Sequence, residues 1–120
     1  MMAQPNHINN LVDNVSKELL FEGFLSGFRH YALDDQEWEI MRQNLKLIRH
    51  ATNPHDENAI AVFANSMMIG YVPKTHSEII ANYIDKGENI IPELIDVNPE
   101  ATSQEKVYFR IWNYKVKLSS

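Results

Sequence analysis

At 120 residues the chain has room for one hydrophobic core and too little length for two ordinary domains. Its hydrophobic fraction of 44% and charged fraction of 22% are those of a folded globular protein. The formal charge of −5 argues against a nucleic-acid coat held by bulk charge, so any such site must be local. The absence of cysteine removes disulfides and thiolate metal sites and fits a reducing cytoplasm. No apolar run approaches the roughly 20 residues that cross a bilayer, so no membrane association is expected. The opening MMAQPNHINN has neither the basic nor the apolar region of a signal peptide, and the expected location is cytoplasmic.

From Asn9 to about Lys17, Leu11, Val12 and Val15 make one narrow apolar stripe at helical spacing, which predicts a short N-terminal helix on the domain edge. From Leu20, the Phe- and Leu-rich stretch LLFEGFLSGFRHY is interrupted by Gly23 and Gly27 and reads as a strand that bends. In DDQEWEIM, Asp34 or Asp35 is placed to cap a helical turn whose apolar face is Trp38, Ile40 and Met41. Leu45, Leu47 and Arg49 then share one face of a strand that runs into the Asn53-Pro54 turn. Ala59 to Ala64 and Met67 to Val72 form two strands joined at Asn65-Ser66, and Pro73 stops the second. Thr75 and Glu78 have the spacing of a capping box for a helix over Thr75 to Lys86. Ile79, Ile80, Tyr83 and Ile84 are its buried stripe, and Gly87 its left-handed terminator. Two more strands are expected at Asn89 to Val97 and Lys106 to Leu118. In the last one the apolar parity reverses after Ile111, which predicts a bulge near Trp112-Asn113. The fold class is therefore mostly β (α+β): a small OB- or SH3-like β-barrel of five or six strands with one internal helix and a short N-terminal helix. Residues 1–19 form a helical arm and 20–118 the barrel domain.

The segment LIRHATNPHDENAIAVF, followed by IGYVPK, concentrates the chemistry. Asn53, Pro54, Asp56, Asn58, Ala59, Ile60 and Val62, then Gly70, Tyr71, Pro73 and Lys74, resemble the hallmark of the HIRAN family. That hallmark is an NPxDxNAIxV turn-and-strand followed by a Gly-aromatic-x-Pro-Lys step into a helix. Gly27 to Tyr31 is similar to the family's first strand, and the resemblance runs from about Leu20 to Val97. It implies an OB-like barrel of the kind found in fork-remodelling helicases and in free-standing bacterial and phage proteins. It also implies a non-catalytic, DNA-repair-type module that takes the 3′-hydroxyl end of single-stranded DNA. By position, Asp56 would accept the terminal hydroxyl, Arg29 and Lys74 would contact phosphates, and Tyr31 and Tyr71 would line the pocket, with His30, Asn53 and His55 beside them. The implied partners are the strand end and a helicase or other DNA-processing protein, and no cofactor or metal is called for. The sequence departs from the helicase-type pattern at His55 and His30, where Tyr is common. Histidine offers a base less stacking area and a pH-dependent charge.

Those roles have a physical basis apart from the resemblance. A carboxylate beside a phosphate groove repels a continuing strand, yet it welcomes a terminus that offers a hydroxyl donor. Aromatic stacking holds a base of any identity. Plainer readings stand beside these: Asn53, Asp56 and Asn58 as turn formers, Tyr31 and Tyr71 as half-buried barrel tyrosines, Arg29 and Lys74 as surface charges. Two other function classes remain open. One is a protein-interaction domain that keeps the fold without binding DNA, which the net charge favours. The other is a metal-dependent phosphoesterase built on His50, His55, Asp56 and His30, against which stands the lack of any paired-ligand motif.

Overall fold

A computed structural model of the chain describes residues 15–28, 38–39, 42 and 44–116. In chain order these form β1 (Val15–Phe24), β2 (Leu45–Arg49), β3 (Ile60–Ala64), β4 (Met67–Tyr71), α1 (Lys74–Asp85), β5 (Asn89–Val97) and β6 (Val107–Val116). The strands make two antiparallel three-stranded sheets, ordered β1-β6-β5 and β2-β3-β4. Among the described residues the six strands and the internal helix α1 match that part of the expectation, but the expected closed barrel is not formed. Among the described residues the sheets are tied by one isolated bridge, in which Ser26 and Tyr71 exchange N–H···O bonds of 2.9 and 2.8 Å. Just before it, the Leu25 amide still bonds to Val107 of β6 at 2.9 Å, so the chain passes from one sheet to the other within two residues. Gly70 makes that crossing possible. A Cβ there would stand 2.6 Å from the Ser26 carbonyl oxygen and 2.8 Å from Leu25 Cγ.

Alternation on the strands places the core between the sheets. Val107, Phe109 and Ile111 of β6 meet Ile60, Val62 and Ile69 of the second sheet, with Phe21 and Leu25 closing one side and Ile80 and Ala81 of α1 another. Trp38, in a helical stretch with Glu39, is buried and stacks on Phe28 with ring centroids 5.9 Å apart. Asp34, Asp35, Ile40 and Met41 lie outside the described residues.

Four local expectations are corrected. Val15 to Lys17, predicted as the end of an N-terminal helix, are strand: Val15 pairs with Val116 and Lys17 with Tyr114. Cross-strand partners far along the chain outweigh the local spacing, and residues 9–14 lie outside the described residues. The bulge expected in β6 falls instead across from it, in β1, where the register shifts between Leu19 and Phe21. The buried parity of β6 runs on unbroken to Asn113. The capping box is not made, because the helix starts one residue early, with Pro73 at the N-cap and no side-chain cap bond. Thr75 is then inside the first turn and its hydroxyl bonds to His76 Nδ1 at 2.9 Å. Finally, Ile79 is 60% exposed, the inward face being Ser77, Ile80 and Ala81. At the other end Gly87 does terminate the helix. Its φ is +81°, its amide bonds to the Ile84 carbonyl at 2.9 Å, and the Glu88 amide bonds to Tyr83 at 3.1 Å.

Candidate functional site

The loop from β2 to β3 is built from its own polar side chains. The His50 amide bonds to the Ala59 carbonyl at 2.8 Å, carrying the β2–β3 ladder one step into the loop. Asn53 Oδ1 accepts the His55 amide at 2.8 Å, and Asp56 Oδ1 accepts the Asn58 amide at 2.9 Å. Each side chain thus imitates a backbone turn two residues on. The Ala59 amide returns to the Asp56 carbonyl at 3.1 Å. The turn-forming role of Asn53 and Asp56 is therefore present. It engages only one of the two Asp56 carboxylate oxygens; among the described residues the other accepts no hydrogen bond.

This loop forms one wall of a cleft of about 190 Å³, whose lining includes Asn53, His55, Asp56, Tyr71 and Lys74. Those residues come from three separate elements. Asn53, His55 and Asp56 are on the loop, Tyr71 ends β4 beside the Ser26 bridge, and Lys74 opens α1. Ser26, Ala59 and Val72 complete the lining. The Tyr71 ring lies parallel to that of His50, with centroids 6.2 Å apart, and its hydroxyl is 3.3 Å from His50 Nδ1. Lys74 is exposed and makes no ion pair among the described residues. Arg29, His30 and Tyr31 lie outside the described residues.

Sequence reading missed the support behind this cleft. Arg49 points inward from β2 and spends its guanidinium on two places at once. Nε and Nη2 donate to Asp85 Oδ1 and Oδ2 at 3.0 and 3.1 Å, and Nη1 donates to the carbonyls of Glu57 and Ala59 at 3.1 and 3.0 Å. The charge beside Asp85 and, above all, the hydrogen bond from Arg49 hold that carboxyl below its ordinary value. A signal existed: Arg49 shares a strand face with Leu45 and Leu47, and an arginine on an inward face needs partners. Its partner, 36 residues downstream, could not be named from spacing. No three carboxylate or imidazole groups among the described residues converge as metal ligands would.

Among the described residues the arrangement offers one carboxylate oxygen without a hydrogen bond, one ammonium without an ion pair and a tyrosine face around a small concavity. That set suits a ligand with a hydroxyl donor, an anionic group and a flat ring.

Two solved structures share the fold. The HIRAN domain of human HLTF is 19% identical, with a TM-score of 0.62 over 84% of this chain and 81% of that one. A protein from Lactobacillus plantarum is 17% identical, with a TM-score of 0.61 over 84% of this chain and 98% of that one. No curated protein sequence matches the chain. The HIRAN domain family model matches residues 19–115, nearly the whole of both sheets, and the chain belongs to that family of DNA-binding modules.

Proposed function

We propose that this protein is a non-catalytic module that captures the 3′-hydroxyl end of single-stranded DNA in the cleft between the β2–β3 loop and the start of α1. The observation that carries the reading is convergence. Residues singled out in the loop, at the end of β4 and at the first position of α1 line a single concavity. The Asp56 oxygen left over from its turn is the acceptor for the terminal hydroxyl. A phosphate in that place would meet a carboxylate instead of a partner, which excludes a continuing strand. Lys74 neutralises a phosphate, and Tyr71, steadied by His50, offers a ring for the last base. In a chain of formal charge −5, few phosphates are engaged, so the ligand is an end rather than a length of DNA. The partner that delivers it is a helicase or another DNA-processing protein.

Fluorescence anisotropy with three matched oligonucleotides tests this: one ending in a free 3′-hydroxyl, one in a 3′-phosphate, and one circularised. The hydroxyl end is expected to bind best. Asp56→Ala should erase the preference, and Lys74→Ala should weaken all three strands about equally. No binding at low salt, or equal binding of duplex and single strand, would sink the reading and favour a protein ligand on this fold.

A further inference from the structure

We infer that Arg49 is the positioning residue of the cleft: through Asp85 and two loop carbonyls it fixes Asp56 relative to Lys74, and so sets end selectivity rather than overall strength of binding. The binding part of this inference rests on the proposed 3′-end reading; the structural part does not.

The geometry is specific. α1 has 12 residues and so spans about 18 Å, with Lys74 as its first residue and Asp85 as its last. One rigid rod thus carries the Lys74 ammonium at one end and the anchor for the opposite wall at the other. Arg49 connects that anchor to the return leg of the loop, bonding the carbonyls on either side of Asn58. Asn58 is the residue whose amide ties down Asp56 Oδ1, and Ala59 is the residue whose amide ties down the Asp56 carbonyl. Movement of residues 57–59 therefore moves the Asp56 carboxylate. Arg49 is only 17% exposed, and its bonds to Asp85 have the fork-on-carboxylate form that arginine makes and lysine cannot. The other ion pair among the described residues, Arg110 with Glu22, sits on the β1-β6 pair away from the cleft and serves as an internal control.

The test uses the full chain with Arg49→Lys, which keeps the charge and loses the fork, and Asp85→Asn, which alters only an exposed partner and so guards against a variant that fails to fold. Two readouts are taken. The first is hydrogen exchange at the Asn58 and Ala59 amides without any ligand. The second is the ratio of affinities for strands ending in 3′-hydroxyl and 3′-phosphate. Both variants should speed exchange at those two amides, leave the core amides of Phe109 and Ile111 protected, and cut the affinity ratio about tenfold, the worth of one charge-assisted hydrogen bond. The salt dependence supplied by Lys74 should not change, and Glu22→Gln should move neither readout. Unchanged exchange at Asn58 and Ala59 overturns the inference outright. If the parent protein shows no hydroxyl preference, the 3′-end reading fails by itself, and the exchange data still decide whether Arg49 holds the loop. If the parent shows the preference and both variants keep it, the positioning role fails while the reading survives.

Discussion

The cleft and the outer face of the β1-β6-β5 sheet carry the same kinds of side chain in opposite states. On the sheet face, Val15, Leu19, Phe24, Ile91 and Val116 are exposed, and Tyr108, Trp112 and Tyr114 lie among them. Yet its polar groups are matched to one another. Glu22 accepts from the Tyr108 hydroxyl and from Arg110 Nε at 2.7 Å, Trp112 Nε1 donates to Glu93 at 2.9 Å, and Lys17 Nζ sits 4.2 Å from the Trp112 ring centroid. In the cleft, by contrast, Lys74 makes no ion pair and one oxygen of Asp56 accepts no hydrogen bond among the described residues. Exposed aromatic surface alone does not distinguish a ligand site from an ordinary sheet face. The proposed site rests instead on a concavity where, among the described residues, Lys74 and one Asp56 oxygen are left without a partner.

The largest effect should come from breaking the seam that makes the cleft. Gly70→Val would drive a side chain into the Ser26 carbonyl and Leu25, both held by backbone pairing. A loss of about 3 kcal/mol of stability, at the upper end of overpacking, is expected in denaturant melts. A melt like the parent's would show that the crossing tolerates a Cβ. Two aromatic truncations distinguish the cleft from the sheet face. Tyr71→Ala should cost about 1–3 kcal/mol of strand binding, whereas Trp112→Ala, on the internally matched face, should leave anisotropy titrations unchanged. The reverse result would relocate the interface to the sheet.

The smallest effect is electrostatic. Hydrogen bonds from Tyr108 first and Arg110 second hold the Glu22 carboxyl below its ordinary 4.5, as the Arg49 hydrogen bond holds Asp85 below 3.8. The folded state therefore releases these protons more readily than the unfolded chain. The stability they supply is complete above the ordinary carboxyl values and is lost as pH falls through the lowered ones. Thermal melts should be flat from neutral pH to about 5 and decline below about pH 4. Glu22→Gln should make that decline shallower without touching end preference, and Asp85→Asn should make it shallower while also disturbing the cleft. Because both carboxylates are exposed, added salt should shrink each contribution.

Much of this molecule is legible along the chain. Asn65, at φ +56°, makes the β3–β4 turn where an Asn-Ser pair predicts it. Gly87 ends α1, and Asn89–Val97 is a strand with the expected bounds. The Asn-Pro-His-Asp turn and the Tyr-Val-Pro-Lys step announce the cleft's lining because their work is local: an Asx turn or a helix start involves atoms within a few residues. Tertiary structure decided the remainder. Val15 to Lys17 became strand because β6, about a hundred residues later, offered an edge. The strand register was adjusted in β1 and not in β6, and six strands split into two sheets joined at Ser26 and Tyr71. Arg49 found Asp85 across 36 residues. Local chemistry fixes turns and helix ends. Which strand edges meet, and which half-buried charge finds its partner, is settled by packing the whole core, where the gain belongs to contacts that no sequence window contains.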